Sequence, residues 1–318
     1  MRKLPTVRRN MGQALKSYGN RRNRMYIQEK KVKKQAGFLP VVMMLSAAVL
    51  WSTGGMMIKQ LSLNPMVIAG YRSLIAAIVV SLFLQKPTFH FSWNKLLGAI
   101  SYASMMIFCV SATKRTTAAS AILLQYTAPI YIAILGGRLL KEKAESKDWF
   151  VILFVLAGMV LLFLDDRSTG SLKGNLMGAL SGVAMAMNTI FMRREKDADP
   201  LENVFWGCVL TVLITLPSMV RSVPNENSWI GLILLGIFQL GFSYVLYARA
   251  IRKISALQSA FICLIEPLLN PVWVFLTVGE FPGALSVLGG LIILTAVTVG
   301  CIRPKKRLES EAFQQQNS

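Results

Sequence analysis

One histidine, four cysteines and fifteen acidic residues are spread over 318 positions, and charged residues make up only 16% of the chain. Each shortage excludes a class of protein. His90 stands alone in a polar joint, so no histidine relay can carry protons across a membrane. Cys109, Cys208, Cys263 and Cys301 each lie singly within an apolar stretch, with no CxxC pair and no histidine at zinc-ligand spacing. A disulfide scaffold, a redox centre and a metal site therefore lack their donors. No GxxxxGK[ST] sequence follows a strand, so the chain has no ATP-hydrolysing centre of its own, and Gly54-Gly55, Gly136-Gly137 and Gly289-Gly290 read as close-packing positions rather than phosphate loops. No catalytic residue and no cofactor are expected.

What is abundant is apolar: 54% of residues are hydrophobic, with a mean hydropathy of +0.50, which suits neither a soluble enzyme nor a disordered chain. A bilayer core of about 30 Å needs about 20 helical residues to cross it. Apolar stretches of that length recur ten times, at 39–58, 65–84, 95–113, 118–137, 148–164, 174–192, 202–220, 229–248, 255–276 and 284–302. Positions 151–164 and 285–299 are apolar almost throughout, without the period of two that a membrane barrel needs. The sequence predicts an all-α membrane protein of about ten transmembrane helices.

The formal charge of +20 is unevenly placed: residues 1–38 hold twelve Lys or Arg against the single Glu29. A basic tail beside a membrane span marks the cytoplasmic side or touches anionic lipid, so membrane lipids, not nucleic acid, are the expected partner. With the N-terminus inside, cytoplasmic segments carry 28 basic residues and outer joints 6, with Arg72 inside the second span. Both termini are expected in the cytoplasm, in a multi-pass protein of the cell membrane. The first span lacks a cleavage context and is expected to remain as an anchor. Because Met25 opens a segment that would be a sufficient basic leader, residues 1–24 are expected to be dispensable.

The chain also repeats itself. Thr117-Ala118 and Ser255-Ala256, Pro129 and Pro267, and Glu142 and Glu280 are each 138 residues apart, and Lys114-Arg115 matches Arg252-Lys253 at the same offset. With small register changes, Lys59 aligns with Arg194 and Ala157-Gly158 with Gly289-Gly290. Five spans per half is an odd number, so the second half enters the membrane from the opposite side. Inverted repeats typify carriers that rock around a site near the bilayer midplane. The expected units are a basic, disordered tail at 1–38, repeats at 39–164 and 174–302 joined by a linker at 165–173, and a second tail at 303–318.

The ordered motifs Ala48-Val49-Leu50-Trp51-Ser52 with Lys59, Asn64-Pro65 with Ala69-Gly70-Tyr71-Arg72 and Ala76-Ala77, Tyr126-Thr127-Ala128-Pro129 through Leu140-Lys141-Glu142, and Glu266-Pro267 through Val278-Gly279-Glu280 carry a family resemblance. Over residues 39–302 the chain resembles the EamA family of the drug/metabolite transporter superfamily. The resemblance implies a ten-helix carrier, often an exporter, of amino acids, other metabolites or drugs.

Two charges stand out inside spans. Arg72 costs at least about 2.5–3.5 kcal/mol to insert and is expected to face protein or water, where it attracts an anionic substrate group or closes a gate, or else bonds carbonyls structurally or snorkels outward. Glu266 is the acidic residue well inside a span: either a proton-coupling carboxylate or a brace for the backbone beside Pro267. Counted from the span ends, both lie at similar depth and are expected to face one cavity. Trp51, Gln125, Tyr126, Asn188, Gln239, Tyr244 and Asn270 are further candidates for its wall, with interhelical hydrogen bonding as their alternative role. Pro129, Pro267 and Pro271 are expected to break or bend the fourth and ninth helices, and freed carbonyls there are candidate substrate contacts. The sixteen methionines read as packing material.

The reading is a secondary carrier of a small molecule working by alternating access, with protons and a second copy of the chain as candidate partners. The alternative is an integral-membrane enzyme acting on lipids or lipid-linked groups, but that chemistry ordinarily needs paired acids, a histidine or a metal cluster. The charge asymmetry makes one direct prediction. A cysteine introduced by Glu145→Cys should react with an impermeant thiol reagent only from the cytoplasmic face, and labelling from outside intact cells would reverse the topology.

Overall fold

The computed structural model describes residues 38–84, 92–116, 118–165, 171–195, 199–278 and 284–301. The two expected tails, most of the linker, His90, Glu280 and the side chains of Asn270 and Pro271 lie outside the described residues.

The described residues form ten helices. They are α1 Phe38–Gln60, α2 Pro65–Phe83, α3 Trp93–Arg115, the broken α4 (α4a Ala118–Gln125, α4b Ala128–Leu139), α5 Ser146–Asp165, α6 Leu172–Arg194, α7 Pro200–Arg221, α8 Glu226–Ile251, the broken α9 (α9a Ala256–Cys263, α9b Ile265–Val278) and α10 Ala284–Cys301. Among them seven are long and apolar enough to cross a membrane: α1, α2, α3, α4, α6, α7 and α8. Most helices run a residue or two beyond the apolar stretches, because polar caps lie outside them. Asn64 accepts from the Met66 N–H at 2.9 Å with Pro65 at the first helical position. Asp199 does the same for Leu201 at 3.1 Å ahead of Pro200, and Ser255 for Gln258 at 3.2 Å.

The two breaks follow from proline chemistry. Pro129 and Pro267 have no N–H to give to the carbonyls four residues back, those of Gln125 and Cys263, which are the last residues of α4a and α9a. Chain then turns at Tyr126-Thr127 and at Leu264 before helix resumes. The interruption of α9 thus precedes Pro267, and α9b runs on through position 271. Near α4 the freed carbonyls are covered by α6 at Gly182, where a Cβ would stand 2.8 Å from the oxygens of Leu124 and Gln125.

Packing expresses the repeat. α2 lies against α7 and α5 against α10, while α4a meets α9b and α4b meets α9a. Each is a helix against its own repeat mate, the arrangement around a two-fold axis, and α3 meets α7 as α8 meets α2. The fold is two inverted five-helix repeats. The α5–α10 crossing is close: a Cβ on Gly158 would lie 2.7 Å from the Gly289 carbonyl oxygen. Small residues let backbones approach in this way where lipid offers no hydrophobic drive for association.

Two features were not visible beforehand. Leu235–Phe242 within α8 is π-helical, a local widening common at functional sites. Glu202 is buried in the first turn of α7 and pairs with Lys95 of α3 at 2.5 Å. Gly158→Ala should lower stability by about 1–3 kcal/mol through overpacking against backbone. Gly290→Ala, which meets only Leu268 at 3.6 Å, should be tolerated. Thermal midpoints of the two variants in detergent check the contrast.

Candidate functional site

The turn of α1, the π segment of α8 and the breaks of α4 and α9 converge on one cavity. Its wall includes Trp51, Arg72, Met106, Cys109, Gln125, Tyr126, Gln239, Tyr244 and Glu266.

Arg72 comes from the middle of α2 and is 1% exposed. Its Nη1 donates to Gln239 Oε1 at 3.4 Å and its Nη2 to Met106 Sδ at 3.2 Å. Both are weak acceptors or long contacts for a guanidinium. The Nε–H has no acceptor, and Arg72 forms no ion pair among the described residues. Gln239 reaches it from the π segment, whose last turn is held by Ser243 Oγ donating to the Gln239 carbonyl at 2.5 Å. The turn at Thr53 and the bare Cα of Gly54 leave room for that amide, since a Cβ there would lie 2.7 Å from Gln239 Nε2.

Trp51 forms an aromatic wall, its ring centroid 4.9 Å from that of Tyr244 and 5.3 Å from that of Tyr247. Tyr102 extends the wall at 5.0 Å from Tyr244. The indole Nε1–H is buried and, like Arg72 Nε, has no acceptor among the described residues. Two buried donors of one cavity thus wait for an acceptor, and leaving such groups unpaired is costly.

Glu266 lies in the first turn of α9b and accepts from the Tyr126 hydroxyl at 2.5 Å. Tyr126 sits in the break of α4, so this hydrogen bond ties the two breaks together across the repeats. Gln125, just ahead of it, accepts from the Cys109 thiol at 3.4 Å. Met105, Met106, Cys109 and Met185 complete a soft, sulfur-rich side of the cavity.

The EamA-like transporter family matches this architecture twice along the chain, over residues 38–164 and 172–300. The chain belongs to the EamA-like transporter family. It is a multi-pass membrane transporter of small molecules. Among its relatives, the uncharacterized transporter YdfC of Bacillus subtilis is 25% identical over 218 residues, spanning 66% of this chain and 71% of that one. The pseudopaline exporter CntI of Pseudomonas aeruginosa is 23% identical over 244 residues, spanning 74% and 85%. A solved crystal structure at 18% identity shares the fold with a TM-score of 0.69, covering 82% of this chain and 96% of its own.

Within this EamA-like fold, seven of the side chains singled out in the sequence line one cavity: Trp51, Arg72, Gln125, Tyr126, Gln239, Tyr244 and Glu266. Asn188 does not. It is buried in α6 with its Oδ1 unpartnered, three residues beyond Met185, which does line the wall; that step moves it about 60° round and about 4.5 Å along the helix. Asn270 lies outside the described side chains. The sulfur residues were missed, although Met105, Met106, Cys109 and Thr113 follow one another at helical spacing and together mark a face of α3.

The Tyr126–Glu266 bond makes a prediction about stability. Tyr126→Phe should cost about 1 kcal/mol by stripping a half-buried carboxyl of its donor. Tyr244→Phe should cost less, since among the described residues that hydroxyl meets only Met105 Sδ, at 3.9 Å. Thermal midpoints in detergent distinguish them.

Proposed function

We propose that the chain is a secondary carrier that exports a small organic anion across the cell membrane by alternating access, in exchange for protons handled at Glu266. The observation that carries this reading is the pair of buried donors without acceptors among the described residues, Arg72 Nε–H and Trp51 Nε1–H, in a cavity whose carboxyl group is bonded to Tyr126 instead. A guanidinium in a membrane interior is expensive. An incoming carboxylate would satisfy it bidentately, with the indole as a further donor. The aromatic and sulfur sides then offer apolar contact to the body of the substrate.

Glu266 and Arg72 share the cavity without touching one another, so each is free to change its electrostatic partner during the cycle. Substrate leaving Arg72 on one side and a proton leaving Glu266 on the other would alternate the net charge of the site. The repeats at 39–164 and 174–302, joined by the linker at 165–173, are the rocking halves in this reading. The 28 to 6 distribution of basic residues supports cytoplasmic termini, and CntI, named as an exporter, supports the direction. A carrier is favoured over an enzyme acting on lipid-linked groups because the cavity lining supplies a single carboxylate and no base beside a nucleophile.

The test is uptake of labelled carboxylate metabolites into inside-out membrane vesicles with an acidic lumen. The pH difference should drive accumulation by the wild type. Glu266→Gln should abolish that dependence while changing substrate affinity by less than about threefold, and Arg72→Ala should weaken carboxylate binding by about 10–100-fold. A Glu266→Gln protein that still concentrates substrate under an imposed pH difference would rule out the coupling role.

A further inference from the structure

A second polar cluster lies away from the cavity, where the end of α4b meets three helix ends of the other repeat. Glu142 follows α4b directly after Lys141, whose φ of 60° is the single positive value outside glycine among the described residues. The Glu142 N–H returns to the Gly136 carbonyl at 3.2 Å, so the chain is turned sharply at that point. The Glu142 carboxylate uses both oxygens on the other repeat: Oε1 accepts from Arg193 Nε at 2.5 Å, and Oε2 accepts from the Ala256 N–H at 3.0 Å. Arg193, at the end of α6, also donates through Nη1 to the Ile251 carbonyl at 2.7 Å, the last residue of α8. One carboxylate from the first repeat therefore gathers the end of α6, the end of α8 and the start of α9a. Its position at a helix N-terminus, with a guanidinium that itself caps a helix C-terminus, is favourable at both ends.

On the opposite side of the membrane the corresponding helix ends are bridged differently. Lys59 donates to the Thr116 carbonyl at 2.7 Å, as Arg193 does to Ile251, and Lys114 donates to the Leu61 carbonyl at 2.6 Å. Neither lysine forms an ion pair among the described residues. A carboxylate stitching the two repeats together is thus described on one side only.

We infer that Glu142 and Arg193 are the latch that keeps the cavity closed on the side of the α4–α5 and α8–α9 joints. The inference rests on the alternating-access reading above. α4b is the lever: twelve residues, about 18 Å long, connect the hinge at Tyr126-Thr127 to Glu142. Its hinge end is tied to Glu266 and its far end to Arg193 and Ala256, so release at the cavity and release at the latch belong to one swing of α4b. Glu142 and Arg193 position the gate and do not touch substrate.

Cys109 reports the state of the cavity, because it lies in the wall while Cys208 and Cys263 are fully buried. The experiment uses the full chain in right-side-out and inside-out vesicles. A sulfonate-bearing, membrane-impermeant methanethiosulfonate is applied to one face, and modification of the Cys109 peptide is followed by mass spectrometry. Glu142→Gln should speed labelling by about tenfold or more from one face only, the face of the α4–α5 joint. Arg193→Gln should do the same, and the double variant should be no faster than the faster single one, as two groups of one contact require. Arg193→Lys keeps the charge but loses the second bond to Ile251, and should fall between wild type and Arg193→Gln; it serves if Glu142→Gln fails to insert. Rates within twofold of wild type for the inserted variants, or equal acceleration from both faces, would overturn the latch. Acceleration from one face in a protein that moves no carboxylate would support the latch while rejecting the anion-export reading.

Discussion

A backbone group in the bilayer interior must find a partner within the protein, and the breaks in α4 and α9 are the places where this demand is hardest to meet. Both are made by prolines that leave a carbonyl without its helical donor. Such breaks are tolerated away from lipid, so two of them in one molecule are best placed facing each other. The fold does this by crossing each broken helix over its repeat mate, half against half. α6 closes over one break with the bare Cα of Gly182, and Tyr126 reaches from that break to Glu266 beside the other. The cavity lies beside this crossing, with Gln125, Tyr126 and Glu266 of the two breaks in its wall.

A second constraint is the buried guanidinium. Arg72 is held by a thioether and by one amide oxygen, and the amide arrives through a π-helical segment packed against α2 at Gly236 and Gly241. A fully satisfied guanidinium would be a structural brace. One held this loosely keeps part of its hydrogen-bonding capacity for something else, and the indole of Trp51 faces the same cavity with the same deficit.

Much of this was legible in the chain, and the reasons differ from element to element. Ten helices could be read from apolar runs because a bilayer imposes a length on each. Inversion followed from an odd span count and the 138-residue spacing of Pro129 and Pro267. Arg72 and Glu266 were conspicuous because a charge within an apolar run has no cheap explanation. The partnership of Tyr126 with Glu266 was not legible: the residues are 140 positions apart, and only the crossing of two broken helices makes them neighbours. Glu142, Arg193 and the Ala256 N–H are joined for the same reason, each looking like an ordinary polar residue at a helix end. The sulfur side of the cavity was hidden by abundance, since a methionine lining a wall and one facing lipid have the same hydropathy. Asn188 shows the converse, a buried polar residue within a span that is not part of this cavity's wall.

The contact between Gly158 and Gly289 has a mechanical consequence. Two backbones that touch at a symmetry axis can rotate against each other with little translation, whereas points far from the axis sweep large arcs for the same angle. In the alternating-access reading the α5–α10 crossing would serve as the fulcrum. The bare Cα atoms of Gly158 and Gly289 set how small the pivot is, and so how much displacement at the ends of the bundle each degree of rocking produces.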